Sequence, residues 1–180
     1  MADNRRKSKG KKIKPAFFVF CEGESEEAYI SLLRRLFRVP IEIYVKTAGN
    51  RISRKYINNS VKQHPRHPGD KFFLLYDLDV PGMLEKLRAI SNSILLVSNP
   101  CLELWYILHY CNQTGEISTQ DCVEKFQRIC KGYSKGYISP GLSEKLSVEM
   151  GKAVQRAKKL TLYQNPSTSV YLIIEELEKI

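Results

Sequence analysis

Lys71-Phe72-Phe73-Leu74-Leu75-Tyr76-Asp77-Leu78-Asp79 is the stretch whose reading decides the fold of this chain. An unbroken apolar and aromatic run, Phe72 to Tyr76, ends in two acids separated by one residue. A short continuous run of β-formers reads as a strand covered on both faces, since a half-exposed strand would alternate. Carboxylates placed where such a strand ends are costly beside an apolar core unless something positive compensates them. The stretch therefore predicts a buried strand with a charged site at its carboxyl end.

Working outward, the same pattern recurs. Upstream, Ala16-Phe17-Phe18-Val19-Phe20-Cys21 is continuous and closes on Glu22-Gly23, a first strand. Residues 24–37 place Ala28, Leu32, Leu33, Leu36 and Phe37 on a helical stripe, with acids in the first turn and arginines near the end, a polarity that suits the helix dipole. Ile41–Val45 alternates as a half-exposed second strand, residues 51–63 read as helix, and the Pro- and His-rich stretch 64–70 as loop. Downstream, a helix over 81–91 leads to a fourth strand, Ser93–Val97, ending in Ser98-Asn99-Pro100. An apolar helix from Cys101 to about Cys111 follows, then helical segments near 119–130, 142–161 and 168–179. Strand and helix in alternation predict an α/β, Rossmann-like fold. It would be a mostly parallel sheet of about four strands flanked by helices, with a helical C-terminal part.

The 180 residues suit one domain, assigned to 15–180 behind a basic arm at 1–14. Seven Lys and Arg against Asp3 give that arm +6 of the chain's +10, so the body is only modestly basic. Like charges with little apolar material to bury read as disorder, either a phosphate-contacting arm or a solubilising tail. No apolar run reaches the roughly 18 residues that span a bilayer, and the N-terminus lacks a secretory pattern. A cytoplasmic protein with no membrane contact is expected. Five cysteines without a Cys-x-x-Cys pair predict free, buried or half-buried thiols rather than disulfides or structural zinc.

Carboxylates gather at the predicted strand ends. Glu22 closes strand one, Asp77 and Asp79 close strand three, and Ser98 with Asn99 closes strand four. In a parallel sheet these ends share the edge where open α/β folds place ligands. Glu27, early in the first helix, and Glu103, just after Pro100, can reach the same edge. Five converging acids repel one another unless a cation sits between them, and oxygen-only ligands suit Mg²⁺ or Mn²⁺. Each also has a plainer reading. Glu22 can belong to a turn, Glu103 can be a helix N-terminal charge, and Ser98 can be a cap.

These residues resemble the RloB-like family, a branch of the Toprim superfamily. The likeness runs from about Phe17 to the end. It is carried by Phe20-Cys21-Glu22-Gly23-Glu24, Asp77-x-Asp79, Ser98-Asn99-Pro100-Cys101-x-Glu103-Leu104-Trp105 with His109, and Asn165-Pro166-Ser167-Thr168-x-Val170-Tyr171. The family's first helix reads Glu-Gly-Glu-x-Thr-Glu-Pro; here Glu26 stands at the threonine position, Glu27 at the acidic one and Ala28 at the proline. Whether Glu26 or Glu27 faces a metal stays open. The resemblance implies a Toprim fold with Glu22 as general acid/base and Asp77 and Asp79 on Mg²⁺. It also implies that Glu27 and Glu103 complete one or two metal sites, with Ser98 orienting water or phosphate. It further implies a nuclease acting on RNA or DNA in abortive-infection defence against phage. This chain has no P-loop, so an AAA-type ATPase partner would be a separate protein.

Phosphate contacts are expected from Arg51, Arg54, Lys55, Arg128, Lys131, Lys135 and the 152–159 stretch. Lys135 lies in Gly132-Tyr133-Ser134-Lys135-Gly136-Tyr137, where a cation beside aromatics suits nucleic acid and a packed loop is the plainer alternative. Trp105 and His109 read as core residues. Two other functions compete. One is a phosphatase built on Asp77-x-Asp79, whose motif would belong on a first strand and want a later acidic pair that is missing here, or an Asp-x-Asp glycosyltransferase, which leaves Glu22-Gly23 without a task. The other is a non-catalytic nucleic-acid-binding or sensing module working with a partner. The oligomeric state is not legible.

Overall fold

The computed structural model describes residues 15–38 and 42–180, with backbone alone for 42–46. The basic arm expected over 1–14 and the side-chain alternation expected of Ile41–Val45 lie outside the described residues.

β1 (Ala16–Cys21) is buried at every position, and this follows from its sequence. Successive strand residues point to opposite faces. Phe17, Val19 and Cys21 therefore enter one core, and Phe18 and Phe20 the other. Full burial of each such phenylalanine stabilises by about 1.5–3 kcal/mol, and only a strand with cover on both sides can realise that. β1 accordingly lies between β2 (Glu42–Thr47) and β3 (Lys71–Asp77), parallel to both. β4 (Ile94–Asn99) adds in parallel beyond β3, in the sheet order β2-β1-β3-β4-β5.

Helices follow the strands. α1 (Glu24–Phe37) starts after Gly23 and stops where Arg38 turns left-handed at φ 46°. After β2 come a 3₁₀ turn, Gly49–Arg51, and α2 (Arg54–Ser60), capped by Ser53 accepting the Tyr56 N–H. α3 (Met83–Arg88) follows β3, and α4 (Leu102–Leu108) follows β4 with every side chain buried. The larger core holds β1, β3, α1, α4 and the C-terminal helices; the smaller one packs α2 and α3 on the opposite face. This is the α/β, mostly parallel, Rossmann-like open sheet that the alternation predicts.

Three details differ from expectation. A fifth strand, β5 (Ser167–Thr168), pairs antiparallel with β4, so α8 (Tyr171–Leu177) begins later than residue 168. The helix expected over 142–161 is two, α6 (Pro140–Val148) and α7 (Met150–Ala157), broken at Glu149. Leu142, Leu146, Ala153 and Ala157 are all buried, so the apolar spacing runs through the break and conceals it. The helix expected over 51–63 is the 3₁₀ turn plus the shorter α2. α5 (Thr119–Ile129), by contrast, falls where its period places it.

All five cysteines are free thiols, three buried and two half-buried, as their spacing predicts. Among the described residues no helix is long and apolar enough to cross a membrane.

Candidate functional site

Register aligns the strand ends. Cys21 stands opposite both Thr47 and Leu75, and Asp77 opposite Ser98. Backbone bonds carry the ladder past these pairs: Glu22 N–H donates to Leu75 O at 3.1 Å and Leu78 N–H to Ser98 O at 2.8 Å. Glu22, Asp77 and Asp79 thus leave the sheet on one edge, joined there by Glu103 from the first turn of α4.

Glu22 bridges two strands. Its Oε2 accepts the Asp77 N–H at 3.0 Å, so the β1 carboxylate is anchored to the end of β3. Burial raises its carboxyl above the ordinary range. The Asp77 N–H opposes that shift, the Asp79 charge adds to it, and Lys135 opposes it. Asp77 is raised further, first by burial and then by the charges of Glu26, Glu103, Glu22 and Asp79. Asp79 itself is exposed at the rim.

The first helix answers which glutamate turns inward. Glu26 is only 6 % exposed, and its Oε2 accepts the Gly23 N–H at 3.0 Å. Burial raises it; the N–H groups of Glu26 and Gly23 oppose, and the charges of Glu22 and Glu103 raise it again. Glu27 is exposed and accepts from Thr47 Oγ1 at 2.8 Å. Glu26 therefore stands among the acids, and Glu27 faces the end of β2.

Glu103 is buried, and its Oε1 accepts the Tyr133 hydroxyl at 2.8 Å. Tyr133 packs edge-on against Phe126, ring centres 4.7 Å apart. Its turn is tied to α1 by the Gly136 N–H, which donates to Ser25 Oγ at 3.0 Å. Lys135 rides on this turn. Burial acts to lower its ammonium, but Glu103, Asp77, Cys101 and Glu26 outweigh that and the net shift is upward. Lys135 thus lies within the field of the acidic group.

The remaining candidates are held elsewhere. Ser98 is buried with its Oγ 2.9 Å from Thr168 Oγ1, a link between β4 and β5. Asn99 Nδ2 donates to Tyr163 O, and Asn165 bonds both the N–H and the carbonyl of Ile117. The stretches around Ser98 and Asn165 therefore brace one another beside the start of α4. Arg51 is exposed on the 3₁₀ turn after β2, and Lys131 is exposed beside Gly132. Arg54 is tied to Ser91, through its carbonyl and its Oγ, and Arg128 to Glu124 on the same helix. In the 152–159 stretch Lys152 pairs with Glu149, Lys158 with Glu175, and Arg156 donates to Leu108 O. Trp105 and His109 are core residues, 0 % and 1 % exposed.

The sequence marks Tyr133 only as an aromatic beside Lys135, gives no role to Ser25, and leaves Glu26 or Glu27 open. For Glu26 a signal existed: it is the third helical residue after an N-cap glycine, the position whose carboxylate reaches back to the cap N–H. The bond from Tyr133 to Glu103 had none, because it crosses thirty residues of tertiary packing.

Among the described residues no group of three or more His, Cys, Asp or Glu is gathered tightly enough to hold a metal ion as it stands. The donor chemistry nevertheless fits a hard divalent cation. Glu22, Glu26, Asp77, Asp79 and Glu103 offer only oxygens; burial first, and the charges of neighbouring carboxylates after it, raise Glu22, Glu26 and Asp77.

The family model described as RloB-like protein covers residues 17–177. No curated protein and no solved structure matches the chain.

Proposed function

The chain belongs to the RloB-like family, and from that premise we propose that its acidic edge is the centre of a Toprim-type, metal-dependent nuclease that cleaves RNA or DNA. The carrying observation is the gathering of Glu22, Glu26, Asp77 and Glu103 at one sheet edge, where Glu22 is bonded to the Asp77 N–H and where burial first, and the neighbouring carboxylates after it, raise Asp77. Mutual repulsion of that kind is retained where a cation is to be received.

Glu26, Asp77, Asp79 and Glu103 would hold Mg²⁺ or Mn²⁺, which when bound polarises the scissile phosphodiester and acidifies the attacking water. Glu22 suits the proton-transfer role. Its raised carboxyl holds a proton more readily than an ordinary glutamate, and the Asp77 N–H fixes its Oε2. Lys135 would receive a phosphate oxygen at the border of the acidic group, and Arg51 would contact the strand on the β2 side. Ser98 supports the site through Thr168 rather than by touching substrate. The wider role is a cytoplasmic anti-phage effector working with a separate ATPase.

The test is cleavage of mixed RNA and DNA by the pure chain, with Mg²⁺ and with chelator, against Glu22→Gln and Asp77→Asn. Metal-dependent cleavage lost in both folded variants is the expected outcome. Hydrolysis of small phosphomonoesters without any cleavage of nucleic acid would overturn it in favour of a phosphatase built on Asp77-x-Asp79.

A further inference from the structure

The turn between α5 and α6 is tied to α4 and α1 and closed by a bridge of its own. The Tyr133 hydroxyl bonds Glu103, the Gly136 N–H bonds Ser25, and Ser134 pairs with Tyr137 in an isolated antiparallel bridge. Tyr137 N–H reaches Ser134 O at 3.3 Å, with Gly136 at φ 75° in the third position, as a type II turn demands. A Cβ at Gly136 would lie 3.3 Å from Glu24 Cβ, so the turn seats closely on the start of α1.

Two side chains on this fixed turn are left pointing outward. Lys135 is exposed at residue level, and Tyr137 is 58 % exposed, one of few large apolar side chains so placed. Behind Tyr137 opens a groove of ≈ 540 Å³ lined by Arg35, Leu36, Ile138, Glu144 and Val148 among others. Its walls mix apolar side chains with Ser143, Ser147 and one charge of each sign, Arg35 donating to Ser143 Oγ at 3.1 Å; the balanced charge disfavours a run of phosphates, and the apolar surface with hydroxyls beside it suits a base. Holding an aromatic ring exposed on a rigid turn beside a cation lowers the ordering cost of stacking.

We propose that Lys135 and Tyr137 form a nucleotide subsite adjoining the acidic edge: the ammonium takes a phosphate, and the Tyr137 ring stacks an unpaired base that lies over the groove. The proposal rests on the nuclease reading and narrows its substrate to nucleic acid with an unpaired nucleotide to one side of the scissile bond, since the groove runs toward Arg35 and Leu36 at the far end of α1 from Glu26. A base inside a duplex presents no free face to the ring.

The experiment measures binding of the full chain to a short fluorescein-labelled oligonucleotide, ribo and deoxyribo, single-stranded and as a blunt duplex. Ca²⁺ replaces Mg²⁺ so that the strand is not consumed. The wild-type chain is expected to prefer the single strand. Tyr137→Ala should weaken single-strand binding by about tenfold and leave duplex binding unchanged, while Tyr137→Phe, which keeps the ring, should bind like wild type. Lys135→Ala should weaken both forms. Equal single-strand affinity of wild type and Tyr137→Ala, or an equal loss on single strand and duplex, would overturn the subsite. Thermal melting of each variant separates these results from misfolding. Metal-dependent cleavage by a Tyr137→Ala chain with unaltered binding would sink the subsite and leave the nuclease standing; no cleavage by wild type would sink the nuclease itself.

Discussion

At Gly23 the chain leaves β1 and the first helix begins, and one residue's offset decides which glutamate serves the edge. The third helical position points back at the cap, so Glu26 is drawn to the Gly23 N–H while Glu27, about 100° further round the helix, meets Thr47. Glu26→Gln should therefore weaken the Mg²⁺ dependence of cleavage by at least about tenfold, the scale on which disturbed metal sites respond. Glu27→Gln should shift it less than about twofold. A Mg²⁺ titration of cleavage by each variant decides; the reverse ranking would return the inward role to Glu27. Residue types and strand-end placement made Glu22, Asp77, Asp79 and Glu103 legible in the sequence. Contacts made only in tertiary structure, such as Tyr133 on Glu103 or Thr168 on Ser98, were not.

The elements that carry these residues are held by packing whose polar exceptions have consequences of their own. α4 is wholly buried, and His109 follows it with Nδ1 donating to Trp105 O at 2.9 Å and Nε2 without a partner. Burial lowers its imidazole to about 4; the Trp105 carbonyl opposes and Arg156 adds to the fall. The unfolded chain, with an ordinary imidazole near 6.5, takes up the proton first. The stability this neutral histidine contributes is thus present above about 6.5 and is lost as pH falls toward about 4, roughly 3 kcal/mol at the acid end. His109→Phe should flatten that acid limb relative to wild type, read as urea midpoints between pH 7 and 4. Parallel curves would mean that the histidine titrates normally. Element by element, the strands were legible because continuous apolar runs have one satisfactory home, a sheet covered on both faces. The break at Glu149 and the two-residue β5 were not, since a period of 3.6 runs through a single interruption and two residues carry no period at all.

Across the whole molecule, the sheet concentrates negative charge on its carboxyl edge while the chain as a whole is basic. Under the proposed function, this local repulsion would set metal and pH against one another as controls on stability. Asp77 is raised by burial and by its acidic neighbours. Its proton is bound more tightly folded than unfolded, so the metal-free chain loses stability as pH rises through the folded-state value. At neutral pH, Asp77→Asn should remove that repulsion and raise the metal-free melting temperature by a few degrees, the shift that about 1 kcal/mol produces in a chain of this size. Mg²⁺ should raise the melting temperature of wild type by binding the folded state, and do little for Asp77→Asn. In acid below the ordinary aspartate range, where both forms carry a neutral side chain at this position, the two melting temperatures should converge. Scanning calorimetry with and without Mg²⁺ at both pH values tests all three arms together. A lower melting temperature for the metal-free variant at neutral pH would mean that the carboxylates are already compensated by the protein. The edge would then have no need of an ion.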